Sequence, residues 1–373
     1  MPLSFPYVGS FTYVFESIAR GMNRHDIIMP HEPTHRTKQL GSRYAPEFVC
    51  TPFKMLLGSI IEVLERGAHD IISTVFVDYC RLGYYSPLYK VILEDLGYKF
   101  NLIDLNWYNK PEFFRNFKRL AAGLSAFKAF QAFRVGWIKN RYIDLVDQLR
   151  YHYGAIELER GTSRKTAQRA YRLIVDTIGM KNVKNLPKII KRMFAEVRID
   201  KKADPLKVAI MGELYAVVEP AINLDIMRRL NELGVIAYTP ITFTRWIDLG
   251  QRLNPFKKWH HAEAIKKAKP YQRFPLGGKS RESIGSVIAY KEEGWDGLIH
   301  LYPFTCMPEI ISRSIIPQVS RKHAMPVLSL VLDEHTGEAG LQTRLEAFVD
   351  LLQRKRVEKR KNESNDSRIF LGD

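Results

Sequence analysis

Cysteine is scarce in this chain. Three thiols, Cys50, Cys80 and Cys306, serve 373 residues, and 30 and 226 positions separate them. An odd, widely spaced set excludes the disulfide framework of a small secreted protein and points to a reducing compartment, the cytoplasm. No C-x-x-C run is present, and no histidine stands near a cysteine at zinc-finger spacing. No stretch of about 18 apolar residues occurs, so no membrane span is expected. The opening "MPLSFPYVGSFTYVF" lacks a basic start, a long apolar stretch and a small-residue cleavage site, so it does not read as a secretory leader. Negative charge is also short: 40 Asp+Glu face 57 Lys+Arg, a net +17.

That excess is local. Residues 107–200 carry 20 Lys+Arg against 8 Asp+Glu, and residues 353–373 carry 7 against 4. The rest is nearly neutral. A basic region of this kind attracts nucleic acid, anionic lipid, phosphorylated ligands or an acidic protein. Hydrophobic content of 46% and aromatic content of 12% suffice for real cores, and the length suggests two or three domains.

Up to residue 106 the chain alternates strand-like and helix-like segments. "PLSFPYVG", "DIIMPH", "DIISTVFVDY" and "KFNLIDL" read as strands. "FTYVFESIARGM", "FKMLLGSIIEVLERG" and "SPLYKVILEDLG" read as helices, with Met55, Ile60, Ile61 and Leu64 on one face and Gly67 and Gly97 as stops. Residues 107–204 are a basic, helical region, where Thr162 or Ser163 could cap a helix. Phe127, Phe130, Phe133 and Trp137 recur at three- and four-residue spacing. That suits one buried stripe, or stacking platforms for nucleic acid. The alternation resumes over 205–352 with "LKVAIMGE", "VIAYTPI", "DGLIHLYPF" and "MPVLSLVLDE" as strands. A last helix carries Leu341, Leu345, Phe348 and Leu352 inward. Residues 353–373 read as a polar basic tail, frayed or disordered. The expected class is α/β, with two Rossmann-like parallel-sheet domains and a helical region between them.

Cys80 and Cys306 each end an apolar strand run, where open parallel sheets place ligand sites. Cys50 precedes a helix, whose dipole favours a thiolate. Two domains could thus aim three thiolates at one cleft, a soft-metal or iron–sulfur donor set. Three unrelated buried cysteines fit the same spacing.

The segments "SRYAPEFVCTPFKMLLGSIIEVLERGAHDII", "CRLGYYSPLYKVILEDLGY" and "SIGSVIAYKEEGWDGLIHLYPFTCMPEIISRSIIPQVSRKHAMPVLSLVLDEHTGEAGLQTRLEAFVDLL" resemble the 2-hydroxyacyl-CoA dehydratase D-component superfamily. The likeness is to its acyl-CoA dehydratase activase-related branch, the CoA-substrate-specific enzyme activase homologues. It covers most of the chain and is weakest in the helical middle and the tail. The resemblance implies a [4Fe-4S] cluster held by Cys50, Cys80 and Cys306, leaving one iron open. It also implies a separate ATP-dependent activator with its own cluster as electron donor, an acyl-CoA substrate, and pairing with a second dehydratase-like subunit or a second copy. Two departures stand out. Bulky "STVFVDY" leads to Cys80 where the family often has glycine and proline. Lys279 stands where a histidine is common.

Other candidates are Gly277, Gly278, Lys279 and Ser280, a loop before a helix that could cradle a phosphate or a cluster sulfide, or simply turn. Glu213 and Asn223 could face the cleft, Glu213 as an orienting acid or as a cap. Asp333, Glu334 and His335 could move protons, or pack a loop. Glu309 is expected to cap the helix after Cys306. Arg81 and Lys54 could favour thiolates. The functional expectation is an iron–sulfur redox protein that passes single electrons to a bound substrate, dehydratase-like or benzoyl-CoA reductase-like if an enzyme. A non-catalytic electron carrier or accessory subunit is the alternative, and a cluster-free basic nucleic-acid binder a third.

Overall fold

The computed structural model describes residues 1–73, 80–105, 109–242, 244, 260–333 and 335–369. The chain is mixed α/β with two all-parallel sheets.

The first sheet has the order β1-β2-β3, from β1 (Leu3–Ser4), β2 (Asp70–Ser73) and β3 (Asn101–Asp104). Helices α1 (Thr12–Gly21), α2 (His35–Tyr44) and α3 (Thr51–Glu65) lie between β1 and β2, and α4 (Tyr85–Asp95) between β2 and β3. "DIIMPH" is not a strand: Ile27 makes one isolated bridge to Leu3. Of "DIISTVFVDY", residues 74–79 lie outside the described residues. Helix α3 is buried from Thr51 to Leu64 on every side but Lys54, not on one face. The reason is α2, a polar helix that covers its outer side. Thr34 caps α2, and Thr37 donates to the buried Glu62 carboxylate of α3 at 2.7 Å.

Four helices follow: α5 (Lys110–Leu120), α6 (Ala126–Gly154), α7 (Thr162–Asp176) and α8 (Met180–Ala195). The α7 cap is neither Thr162 nor Ser163. The Glu157 carboxylate takes the amides of Gly161 and Ser163 instead, because a carboxylate accepts two N–H groups at once. The aromatic stripe of α6 is buried only in part. Phe127 is 70% and Phe130 60% exposed, Phe133 and Trp137 are half-buried with Phe133 against the core, and Ala129, Gly136, Lys139, Asn140, Ile143 and Val146 face inward. Helix α1 packs closely on that inner face. A Cβ on Gly136 would stand 2.2 Å from Ile18 Cγ1, so no larger residue fits there.

The second sheet has the order β5-β4-β6-β7, from β4 (Leu206–Gly212), β5 (Val235–Tyr238), β6 (Gly297–Pro303) and β7 (Val327–Leu332). Three short helices, α9 (Leu214–Val218), α10 (Pro220–Asn223) and α11 (Ile226–Glu232), join β4 to β5. α12 (His260–Ala268) and α13 (Ser280–Glu292) precede β6, and α14 (Met307–Lys322) joins β6 to β7. The chain leaves β4 toward β5 on one side and returns to β6 on the other. The order therefore reverses between β4 and β6, and ligand crevices form beyond the C-terminal ends of strands at such a point.

The last helix, α15 (Glu338–Ile369), buries Leu341, Leu345, Phe348 and Leu352 as expected. The tail is not frayed at its start. Arg356 holds Asp296 at 2.6 Å, and Arg356 and Arg360 both pair with Asp204, so charge anchoring extends the helix beyond its apolar stripe. Among the described residues no helix is long and apolar enough to cross a membrane.

Candidate functional site

Cys50, Cys80 and Cys306 line one cavity of about 50 Å³. They come from both sheets. Cys306 follows β6 at the reversal point, and Cys50 and Cys80 come from the first hundred residues.

The local sequence repeats. Cys50 opens α3 as Cys-Thr-Pro, and Cys306 opens α14 as Cys-Met-Pro. Proline suits the first helical turn because its missing N–H had no helical partner there. Both cysteines are the extended residue before the helix, at φ −69° and −73°. Cys80 stands likewise before a short 3₁₀ turn, Arg81–Tyr84, that runs into α4. Cys50 and Cys306 are each 6% exposed, and Cys80 is half-buried.

The backbone beside Cys306 is strained. Thr305 adopts φ +66°, a left-handed conformation that a β-branched residue rarely tolerates. Thr305 lines the cavity, and its hydroxyl is buried with no hydrogen-bond partner among the described residues. Such outliers persist where surrounding structure enforces them, and they cluster at functional sites.

Burial outweighs the helix N-terminus in the electrostatics. It pushes the Cys50 thiol up to about 11, against the opposing Tyr85 hydroxyl 2.6 Å away. The Cys306 thiol is raised further, by burial and then by the Glu309 and Glu213 carboxylates. The Cys50 and Cys306 sulfurs are therefore held as neutral thiols, and a cation must take the place of their protons.

Glu213 both lines the cavity and caps α9, accepting from the Ala216 amide at 2.8 Å. Burial lifts its carboxyl to about 7. Glu309 does not cap α14. Its Oε2 meets His300 Nε2 at 2.8 Å, while Oε1 is buried without a partner among the described residues. The imidazole draws the side chain back toward β6. Gly278 and Lys279 line the cavity, whereas Gly277 and Ser280 do not. Lys279 is committed to Glu282 at 2.7 Å, and Ser280 donates to Gln272 and lies against Ser312.

Arg81 lines the cavity and donates to the Phe48 carbonyl at 3.1 Å, whereas Lys54 is not among the lining residues. Asn223 does not face the crevice: its amide holds the Ala216 and Val217 carbonyls, tying α10 to α9. His335 is exposed, lies in a turn organised by Asp333 and is not among the residues lining the thiol cavity. Glu334 lies outside the described residues. Sequence reasoning missed His300, Thr305 and Tyr85. His300 had one faint signal, a lone polar residue in the strand run "GLIHLYP".

Three sulfurs and no imidazole line the cavity. Among the described residues no three His, Cys, Asp or Glu side chains are close enough to share one ion. A polynuclear iron–sulfur cluster differs from a single ion in taking its thiolates at separate corners, which suits thiols spread around a cavity wall. No protein-family model and no curated protein matches the chain.

Proposed function

We propose that the chain is a cluster-binding redox protein in which Cys50, Cys80 and Cys306 ligate one [4Fe-4S] cluster. The observation that carries this is the meeting of all three thiols at one cavity. A bound cluster would supply one-electron chemistry at low potential, with one iron free of protein sulfur. The protein's own residues prepare the place. The openings of α3 and α14 put positive dipole ends beside an anionic group. Leu82, Leu214 and Met307 give the cavity apolar walls, and Arg81 adds a fixed positive charge.

The two sheets are read as Rossmann-like units that hold the cluster between them. Cys80, the most exposed of the three thiols, marks the side for electron entry from an ATP-dependent activator. Glu213, with a carboxyl near 7, is the residue suited to holding or releasing a proton beside a bound substrate. That substrate is read as an acyl-CoA, and the chemistry as dehydratase- or reductase-like.

One observation favours the second reading, an electron carrier or accessory subunit. A cavity of about 50 Å³ is far below the roughly 300 Å³ at which small-molecule pockets begin. Electron paramagnetic resonance of the anaerobically reconstituted, chemically reduced protein separates the two. A cluster signal that shifts when acetyl-CoA or a 2-hydroxyacyl-CoA is added supports substrate chemistry. A signal indifferent to both supports the carrier, and no signal in any reduced sample contradicts both.

A further inference from the structure

A second and larger cavity, about 330 Å³, lies at the other end of α9. Glu213 precedes that five-residue helix in the thiol cavity, and Val217, Val218 and Glu219 close it in the larger one. The two cavities share no lining residue. The larger one sits beyond the C-terminal end of β5, with α6 as its long wall. Asn140, Asp144, Asp147 and Tyr151 are spaced four, three and four residues apart, which aligns them over about 16 Å of helix.

Its chemistry is unusual for an interior. Arg150 and Asp147 lie deep in the molecule yet keep accessible surface, which opens into this cavity. The Arg150 guanidinium lies over the Tyr151 ring at 5.0 Å, and Asp225 is held by Arg228 at 2.8 Å. Asp147 accepts from Ser10 at 2.6 Å and from Tyr171. Asn140, 1% exposed, has neither amide atom paired among the described residues, and Asp225 Oδ1 is likewise unpaired. Buried polar atoms without partners cost stability and call for an explanation.

Donors, acceptors and flat aromatic faces are thus interleaved around one space. Carboxylates outnumber cations around the space, with Glu32, Asp144, Asp147, Glu219 and Asp225 against Arg150 and Arg164, so the fitting partner is not an anion. It is a neutral ring whose groups both donate and accept, which hydroxyls do. Tyr7, Tyr171 and Tyr238 line the space and supply aromatic surface for its apolar side. We propose that this cavity binds a polyhydroxylated ring, either a free sugar or polyol or the ribose of a nucleoside. The proposal is independent of the cluster.

The test is isothermal titration calorimetry of the full chain with D-glucose, D-galactose, D-mannose, D-ribose, myo-inositol and adenosine, with cyclohexanol as the ring without diols. Saturable binding of at least one polyol, weakened at least about tenfold in Arg150→Met and Asn140→Leu, is the expected result. Gln168→Ala, at an exposed lining position, must also weaken it, which keeps the test decisive where the buried variants unfold. Binding by adenosine alone supports the proposal and places the diol in a nucleoside. Absence of saturable binding by every polyol and by adenosine overturns it. So does equal affinity for cyclohexanol, or unchanged affinity in the folded variants.

Discussion

His300 Nε2 lies 2.8 Å from Glu309 Oε2, and neither side chain is more than 1% exposed. The contact ties the middle of β6 to the first turn of α14, so it fixes the corner that carries Cys306. Removing one partner leaves the other polar and buried. His300→Leu or Glu309→Met is expected to cost about 3 kcal/mol in urea unfolding, and the double variant to recover a large part of it. Additive losses would contradict the coupling.

The exposed rings of α6 give a contrast within one helix. Phe127→Ser and Phe130→Ser are expected to change stability by less than about 0.5 kcal/mol. Ala129→Leu, at a position without exposure, is expected to cost about 1–3 kcal/mol through overpacking. Thermal unfolding of the three variants checks this. The reverse order would restore the aromatic core stripe.

Glu219 makes stability depend on pH. Burial lifts its carboxyl from an ordinary 4.5 to about 8, although the Gly9 and Ala221 amides oppose the shift. The folded protein thus holds a proton that the unfolded chain has released, so the Glu219 contribution to stability is fullest below pH 4.5 and is lost as pH rises to 8. Glu213, at about 7, acts with the same sign. Melting temperatures of wild type and Glu219→Gln between pH 5 and 8.5 check this, and the variant should show the shallower decline.

The central parallel strands were legible because "VAIMG" and "LIHLYP" are nearly continuous apolar runs, as strands covered on both faces must be. The helix α2 was not. Its ten residues are mostly polar, and its stability comes from the Thr34 cap and from contact with α3, neither of which shows as periodicity. On α6 the spacing was right, but the stripe held only for Phe133 and Trp137 and not for Phe127 and Phe130, since hydrophobicity could not foretell that α1 approaches closely enough to require Gly136.

The candidate site was legible in parts. That Cys306 ends a strand run, and that Cys50 opens a helix, follows from the residues beside them. Their meeting with Cys80 at one cavity depends on how two sheets are set together, which no local pattern encodes. Nor did the sequence show that burial overrides the helix dipole at the thiols, because depth is a property of the assembled core.

The most direct measurement is iron and acid-labile sulfide content after anaerobic purification and reconstitution, for wild type and for Cys50→Ala, Cys80→Ala and Cys306→Ala. The account predicts about four of each per wild-type chain, with marked loss in every variant. Folded wild-type protein that takes up no iron, or variants that retain the full complement, would contradict it.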